Sequence, residues 1–141
     1  MKNKHISIIA LTAALALAVG CASNPLPPLA QVPVRHQLSY TGSYIPVAEA
    51  DVKPTAQFMK KPRYPAQWSS RNVEGEATIA FILDGNGVPT QVQVIYATDQ
   101  AFADSGIEAV AQWRFTPAQK SGRVVQVAMQ VPIVFNMNES G

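Results

Sequence analysis

The sequence predicts an α+β domain built on a small three-stranded antiparallel sheet with a helix packed on one face. Segments near 76–84, 89–97 and 124–136 alternate apolar and polar residues, which is the period of half-buried strands. Residues 101–114 instead repeat apolar side chains about every 3.6 positions, which indicates an amphipathic helix. The roughly 80 residues that carry these patterns are enough for one small domain, at 57–138.

The first two strands form a predicted hairpin. On the first strand, one face carries Ala77, Ile79, Phe81 and Leu83. The turn Asp84-Gly85-Asn86-Gly87 is rich in residues that tolerate positive φ, as hairpin turns require. A calcium loop needs more oxygen ligands than this turn supplies, and no Glu follows at the required spacing. The sequence therefore predicts a turn and no metal site.

The helix and the last strand complete the predicted sheet. Asp99 is a suitable N-cap, and Gly106 in the apolar stripe predicts a close approach of helix to sheet. The last strand, Val124 to Phe135, contains Pro132. Proline cannot donate to a ladder, so this strand is predicted at an edge and the first strand at the centre. Pro132 either leaves the edge open to a partner strand or protects it against pairing.

The N-terminus has the features of a signal peptide. Lys2 and Lys4 precede an apolar run, Ile6 to Val19, that is shorter than a membrane span needs. Gly20-Cys21 resembles the lipobox of bacterial lipoproteins, in which the signal is cut before the cysteine and the thiol carries lipid. We expect residues 1–20 to be removed and Cys21 to be lipidated. An ordinary secretion signal and an uncleaved inner-membrane anchor are the alternatives.

Residues 21–56 are predicted to be a proline-rich tether, because their prolines interrupt helices and large apolar residues are sparse. The segment Leu38–Ile45 is an exception. Its Tyr and Ile residues predict either a short strand lying on the domain or a patch that faces a partner.

Composition excludes several classes of function. Without residues 1–20, Lys plus Arg falls from 11 to 9, equal to the 9 Asp plus Glu, so the net charge is near zero and nucleic acid is not an expected partner. The remaining chain has one histidine, His36, and no thiol beyond Cys21. We therefore predict no enzyme, no metal site and no cofactor.

Several motifs in combination resemble the C-terminal domain of the TonB family, over about residues 57–137. The motifs are Arg63-Tyr64-Pro65, Glu74-Gly75-Glu76-Ala77, the turn at 84–87, Ala109-Val110-Ala111-Gln112-Trp113-Arg114-Phe115-Thr116-Pro117-Ala118, and Val131-Pro132-Ile133-Val134-Phe135. The resemblance implies a short helix before the first strand. It also implies strand addition of an outer-membrane receptor segment at the last strand.

Carried onto this sequence, the resemblance places the partner-binding edge at Val124, Gln126, Ala128, Gln130, Pro132 and Val134. It places an upstream contact at Lys61, Arg63 and Tyr64. A homodimer through the same edge is a further possibility.

Two departures from the family bear on function. Energy-coupling members have an uncleaved membrane helix that contains a histidine, whereas in this sequence His5 precedes the apolar run. Those members also have a charged spacer that is longer than residues 22–56 here. We therefore expect no independent energy transduction. Ala22 follows Cys21, so the expected location is the periplasmic side of the outer membrane, with the inner membrane as alternative. The two functional hypotheses are docking of receptor segments, as part of or accessory to TonB-dependent transport, and an envelope scaffold whose partner is unrelated to nutrient uptake.

Overall fold

The computed structural model describes residues 31–139. The predicted signal peptide and Cys21 lie outside this range. Within it, no helix combines the length and hydropathy that crossing a membrane would require.

The described chain contains short strands before the hairpin as well as after it. The strands are β1 (Val34–Arg35), β2 (Ile45–Pro46), β3 (Ala56–Phe58), β4 (Gly75–Leu83), β5 (Pro89–Ala97), β6 (Arg114–Phe115), β7 (Ala118–Lys120), β8 (Arg123–Val125) and β9 (Val127–Phe135). The α-helices are α1 (Ala66–Ser69) and α2 (Gln100–Val110), and single 3-10 turns form at Val47–Glu49 and Met137–Glu139.

The main sheet has the order β1-β5-β4-β9-β2. All of its pairs are antiparallel except β2 with β9, which is parallel. The α+β class, the short helix before β4 and the central position of β4 are thereby confirmed. The predicted count of three strands was too low, because the N-terminal segment adds one short strand at each side of the sheet. Two ribbons, β3–β6 and β7–β8, accompany it.

The strand predicted over 124–136 is in fact two strands. Residues Arg123–Val125 form β8, which pairs with β7, and β9 begins at Val127. Between them, Gln126 belongs to neither strand. The apolar–polar alternation continues through Gln126 without interruption, so the sequence alone does not reveal the boundary between the two strands.

The core lies between β4, β5, β9 and α2. From β4, Ile79, Phe81 and Leu83 are fully buried, and Phe102 and Val110 meet them from the helix. The helix begins after Asp99, whose side chain accepts a hydrogen bond from the Ala101 N–H at 3.0 Å, as predicted for the N-cap. It ends at Val110 rather than 114, because the chain then turns into β6.

Gly106 allows the helix to lie close to the sheet. A Cβ at this position would lie 3.1 Å from Cδ1 and Cγ1 of Ile79 and 3.4 Å from Cδ1 of Ile133. These separations are tighter than ordinary van der Waals contact. The predicted close approach is confirmed, and it explains a glycine that costs the helix about 1 kcal/mol relative to alanine.

The turn at 84–87 is held by its own aspartate. Asp84 Oδ1 accepts from the N–H groups of Asn86 and Val88, both at 2.9 Å. This geometry is an Asx turn, so the carboxylate is engaged by backbone. Across residues 31–139, no cluster of three or more His, Cys, Asp or Glu side chains is arranged to hold a metal.

Residues 31–56, which the sequence assigns to the tether, are part of the folded unit. Beyond β1 and β2, Val52 forms an isolated bridge with Gln119, and β3 pairs with β6. The segment Leu38–Ile45 therefore lies on the domain, and its last residue begins a strand.

Candidate functional site

The direction of the backbone groups along β9 follows from one hydrogen bond. The Ile45 N–H donates to the Gln126 carbonyl at 3.1 Å, so the backbone of Gln126 points away from β4. Successive residues of a strand point their N–H and C=O groups to opposite sides. The even-numbered residues of β9 therefore face its outer edge, and the odd-numbered residues bond to β4.

The first part of this outer edge is occupied by β2. The parallel register pairs Ile45 with Val127 and Pro46 with Ala128, which places the Ala128 N–H against the Ile45 carbonyl. Of the predicted edge residues, Gln126 and Ala128 thus already have a backbone partner. Val124 lies in β8 instead, with 51% of its surface exposed.

The second part of the edge carries Gln130, Pro132 and Val134. Among residues 31–139, no strand pairs with β9 on this side beyond Ala128. Pro132 lies opposite Thr78, and its missing N–H would point outward. The β4 ladder consequently loses nothing to the proline. The last strand was predicted to be an edge strand. This is correct around Pro132, where no strand pairs with the outer side of β9 among the described residues, and wrong at the start of β9, where β2 pairs with it.

The side chains of this free edge alternate as the sequence predicts. Gln130, Pro132 and Val134 are exposed, whereas Ile133 and Phe135 are buried in the core. Val134 presents an apolar side chain with 61% of its surface exposed. The edge therefore offers backbone groups together with one apolar side chain.

Tyr64 joins the upstream segment to the end of β9. Its hydroxyl donates to the Val73 carbonyl at 2.7 Å and reaches the Phe135 carbonyl at 3.4 Å. Its ring packs edge-on against Phe102 and Phe135, with centroids 6.0 and 5.8 Å away. Burial, and secondarily the charge of Glu74, raises the pKa of Tyr64. Tyr64 is therefore a packing residue that brings the upstream segment to the edge.

The two basic residues of the upstream segment are exposed. Lys61 and Arg63 line a recess of about 290 Å³ against α2, together with Lys60, Ser105, Glu108 and Ala109. The segment is fixed through its backbone, since Trp113 Nε1 donates to the Lys60 carbonyl at 2.9 Å and the Ser105 hydroxyl donates to the Arg63 carbonyl. Because Tyr64 follows directly and touches Phe135, this segment and the free edge meet at the C-terminal end of β9.

Sequence reasoning missed Gln91 and Gln93. Alternation places both on the face of the sheet opposite α2, where polar residues are expected at a solvated surface. In the structure each side-chain amide holds the backbone of the N-terminal segment, Gln93 at Ser39 and Gln91 at Thr41. No local pattern in the sequence indicates this pairing.

Comparison with known proteins identifies relatives of the domain. A family model described as Gram-negative bacterial TonB protein C-terminal matches residues 60–137. The TonB protein of Pseudomonas aeruginosa is 30% identical over 78 residues, covering 55% of this chain and 22% of the relative. The TonB protein of Vibrio cholerae is 31% identical over 78 residues, covering 55% and 32%. The matched part thus spans about a third or less of these relatives.

A solved structure shares the fold. The solution NMR structure of the Pseudomonas aeruginosa TonB CTD superposes with a TM-score of 0.53 at 24% identity. The match covers 62% of this chain and 90% of that structure.

Proposed function

Because the chain belongs to the family of Gram-negative bacterial TonB C-terminal domains, we propose that it docks short extended segments of outer-membrane receptors by strand addition to β9. This role forms part of, or is accessory to, TonB-dependent transport. The docking surface is the free edge at Gln130, Pro132 and Val134, with Lys61 and Arg63 as the upstream contact. Tyr64 supports that contact by packing against Phe135.

The observation that carries the proposal is the set of unpaired backbone groups on β9. The outward residues supply the N–H groups of Gln130 and Val134 and the carbonyls of Gln130, Pro132 and Val134. Each net hydrogen bond contributes about 1 kcal/mol, and the added segment loses conformational entropy. We therefore expect micromolar-range affinity, raised by holding both partners at one membrane.

A proline at position 134 tests the backbone role directly. Val134→Pro removes an outward N–H and leaves the β4 ladder intact, because only odd-numbered residues bond to β4. We expect binding of synthetic N-terminal receptor peptides, titrated by NMR, to weaken at least tenfold, about 1.4 kcal/mol or more. Val134→Ala, which retains the N–H, is the matched control and should weaken binding about threefold or less. Equal binding by Val134→Pro and the wild type would refute docking at this edge, as would chemical-shift changes confined to 60–72 or α2.

Lipidation supplies the second part of the proposed function. Cys21 carries a lipid after removal of residues 1–20, and this lipid holds the domain on the periplasmic side of the outer membrane. The short apolar run ending in Gly20-Cys21 supports this assignment. Mass spectrometry of the membrane fraction decides it: an intact Met1 would indicate an inner-membrane anchor, and a soluble product with a free thiol at Cys21 would indicate ordinary secretion.

The partner class is tested separately from the edge. A photo-crosslinking amino acid at Gln130, exposed in the middle of the free edge, should capture outer-membrane receptors in intact cells. The same substitution at Gln67, exposed on α1, is the control. Capture at Gln130 of an envelope protein other than a receptor would instead favour the scaffolding role.

A further inference from the structure

We propose that residues 38–46, here called the latch, are a displaceable self-ligand that shares the docking edge with the partner, and that Gln91 and Gln93 form the site that retains it. The inference rests on the proposed function and adds a means of regulating it. The ligand class is an extended peptide, which Gln91 and Gln93 hold mainly through its backbone.

The retaining site consists of two side-chain amides that act like a strand edge. Gln93 Oε1 accepts from the Ser39 N–H at 3.1 Å, and its Nε2 donates to the Ser39 carbonyl at 2.6 Å. Gln91 does the same for Thr41, with Oε1 accepting at 2.8 Å and Nε2 donating at 2.9 Å. Each amide satisfies both backbone groups of alternate residues, which is the hydrogen-bond pattern of an added strand.

The backbone around Gln91 is distorted at this site. Gln91 has φ 48°, in the left-handed region, and the register of β4 with β5 shifts between Ala80 and Ile82. The shift inserts an extra residue in β5, as a bulge does, and bulges re-aim side chains. A non-glycine residue in this conformation costs on the order of 1 kcal/mol or more and persists only where its surroundings fix it. Here Gln91 lies between the ladder pairs Ala80–Gln93 and Ile82–Thr90 and bonds to Thr41 through its amide.

The latch ends on the docking edge itself. Its last two residues, Ile45 and Pro46, are β2, in which Ile45 occupies the Gln126 carbonyl and the Ala128 N–H. A partner segment of about five residues fits on Gln130 to Val134 alone. A longer segment needs the edge that β2 covers, so it competes with the latch.

Several features oppose tight closure of the latch, although its Ile45 side chain packs against the core. The Tyr40 hydroxyl is buried but finds no hydrogen-bond partner among residues 31–139, an arrangement that opposes closure. The five hydrogen bonds that the amides of Gln91 and Gln93 make to Ser39 and Thr41 are solvent-exposed, and β2 has only two residues. A partner that offers a longer strand can therefore replace it.

Two variants with opposite expected effects test the latch in the full-length protein. Gln91→Gly with Gln93→Ala removes the amides and relieves the left-handed backbone. Tyr40→Phe removes the unpaired hydroxyl and should tighten the latch. Hydrogen exchange of the Ile45 and Ala128 amides reports closure: protection should fall about tenfold or more in the first variant and rise severalfold in the second. The control Gln67→Ala should leave both amides unchanged.

Binding of receptor peptides of two lengths distinguishes competition with the latch from docking at the free edge. A nine-residue receptor peptide should bind about tenfold more tightly to the Gln91→Gly, Gln93→Ala variant and more weakly to Tyr40→Phe, since apparent affinity scales with the open fraction. A five-residue peptide should bind all forms alike. Unchanged exchange in both variants, or identical length dependence in all forms, would overturn the latch. A failure of both peptides to shift β9 would refute edge docking, while the exchange data would still decide whether the latch exists.

Discussion

Asp99 connects three segments of the domain, and its removal should be the most informative test of the fold. Its Oδ1 accepts from the indole N–H of Trp68 and from the Ala101 N–H, both at 3.0 Å, and Oδ2 accepts from the Val32 N–H at 3.3 Å. Asp99 is 9% exposed and Trp68 is 2% exposed. One side chain therefore caps α2, satisfies a buried donor from α1 and bonds to the backbone two residues before β1.

The expected cost of Asp99→Ala follows from these bonds. Loss of an N-cap costs about 0.5–2 kcal/mol, and the buried Trp68 N–H, left unpaired, costs about 1–3 kcal/mol. The Val32 bond is long and adds little. We expect the free energy of unfolding, measured by urea titration with tryptophan fluorescence, to fall by about 2–4 kcal/mol. Asp104→Ala, on the exposed side of the same helix, is the control and should change it by less than about 0.5 kcal/mol.

A double-mutant cycle isolates the Trp68–Asp99 bond. Trp68→Phe removes the indole donor, so Asp99→Ala should cost about 1 kcal/mol less in that background than in the wild type. Additive effects, or a loss of under about 0.5 kcal/mol for Asp99→Ala alone, would refute the assignment of Asp99 as the link between α1 and α2.

Two further perturbations test other parts of the fold. Gly87 has φ 75°, and a Cβ at this position would lie 1.8 Å from the Phe115 carbonyl oxygen, so Gly87→Ala should lower the free energy of unfolding by about 2–4 kcal/mol. Gly122 has the same φ, but a Cβ there would have no atom within 4 Å. The control Gly122→Ala should therefore lower the free energy of unfolding by only about 1 kcal/mol in the same urea titration. Because burial and then Glu74 raise the pKa of Tyr64 above 10.0, the folded state holds this proton more tightly than the unfolded state. The stability that the protonated Tyr64 hydroxyl contributes should be constant below pH 10 and should be lost as the pH rises through the pKa of the folded state. The urea midpoint of Tyr64→Phe should therefore fall less steeply above pH 10 than the urea midpoint of the wild type.

The central part of the fold could be predicted because its signals are local and repeated. The strand predicted at 89–97 has the bounds of β5, and the one at 76–84 differs from β4 by one residue at each end. Asp99 and Gly106 were identified because a cap and a close approach each require a particular residue type. Pro132 indicated an edge because its missing donor restricts where a strand can lie.

The two strands that the N-terminal segment adds to the sheet, β1 and β2, could not be predicted, because no repeating pattern in the sequence specifies them. The strands β1 and β2 have two residues each, too few for a period to be visible. The contacts of Ser39 and Thr41 go to glutamine amides more than 45 positions away, and such side chains on a polar face look like ordinary solvated residues. Proline content then favoured a tether, although Pro46 itself lies in β2.

Strand alternation predicts which residues of β9 share a face, but it does not predict how much of the edge of β9 is open. Alternation places the side chains of Gln130, Pro132 and Val134 on one face of the strand, and all three are exposed in β9. It also places Gln126 and Ala128 on that face, but β2 takes the Gln126 carbonyl and the Ala128 N–H. Tyr64 was expected as a contact, whereas its ring and hydroxyl are engaged with Phe135 and the core.

The sheet order implies a sequence of events during folding. Leu83 pairs with Pro89 six positions further on, but with Val127 forty-four positions further on. Closing the longer loop costs more chain entropy, and pairings distant in sequence form more slowly. The β4–β5 hairpin should therefore form early and β9 should join it late. The folding chain would accordingly complete its sheet with β9 only in the final steps, after the hairpin that receives this strand has formed.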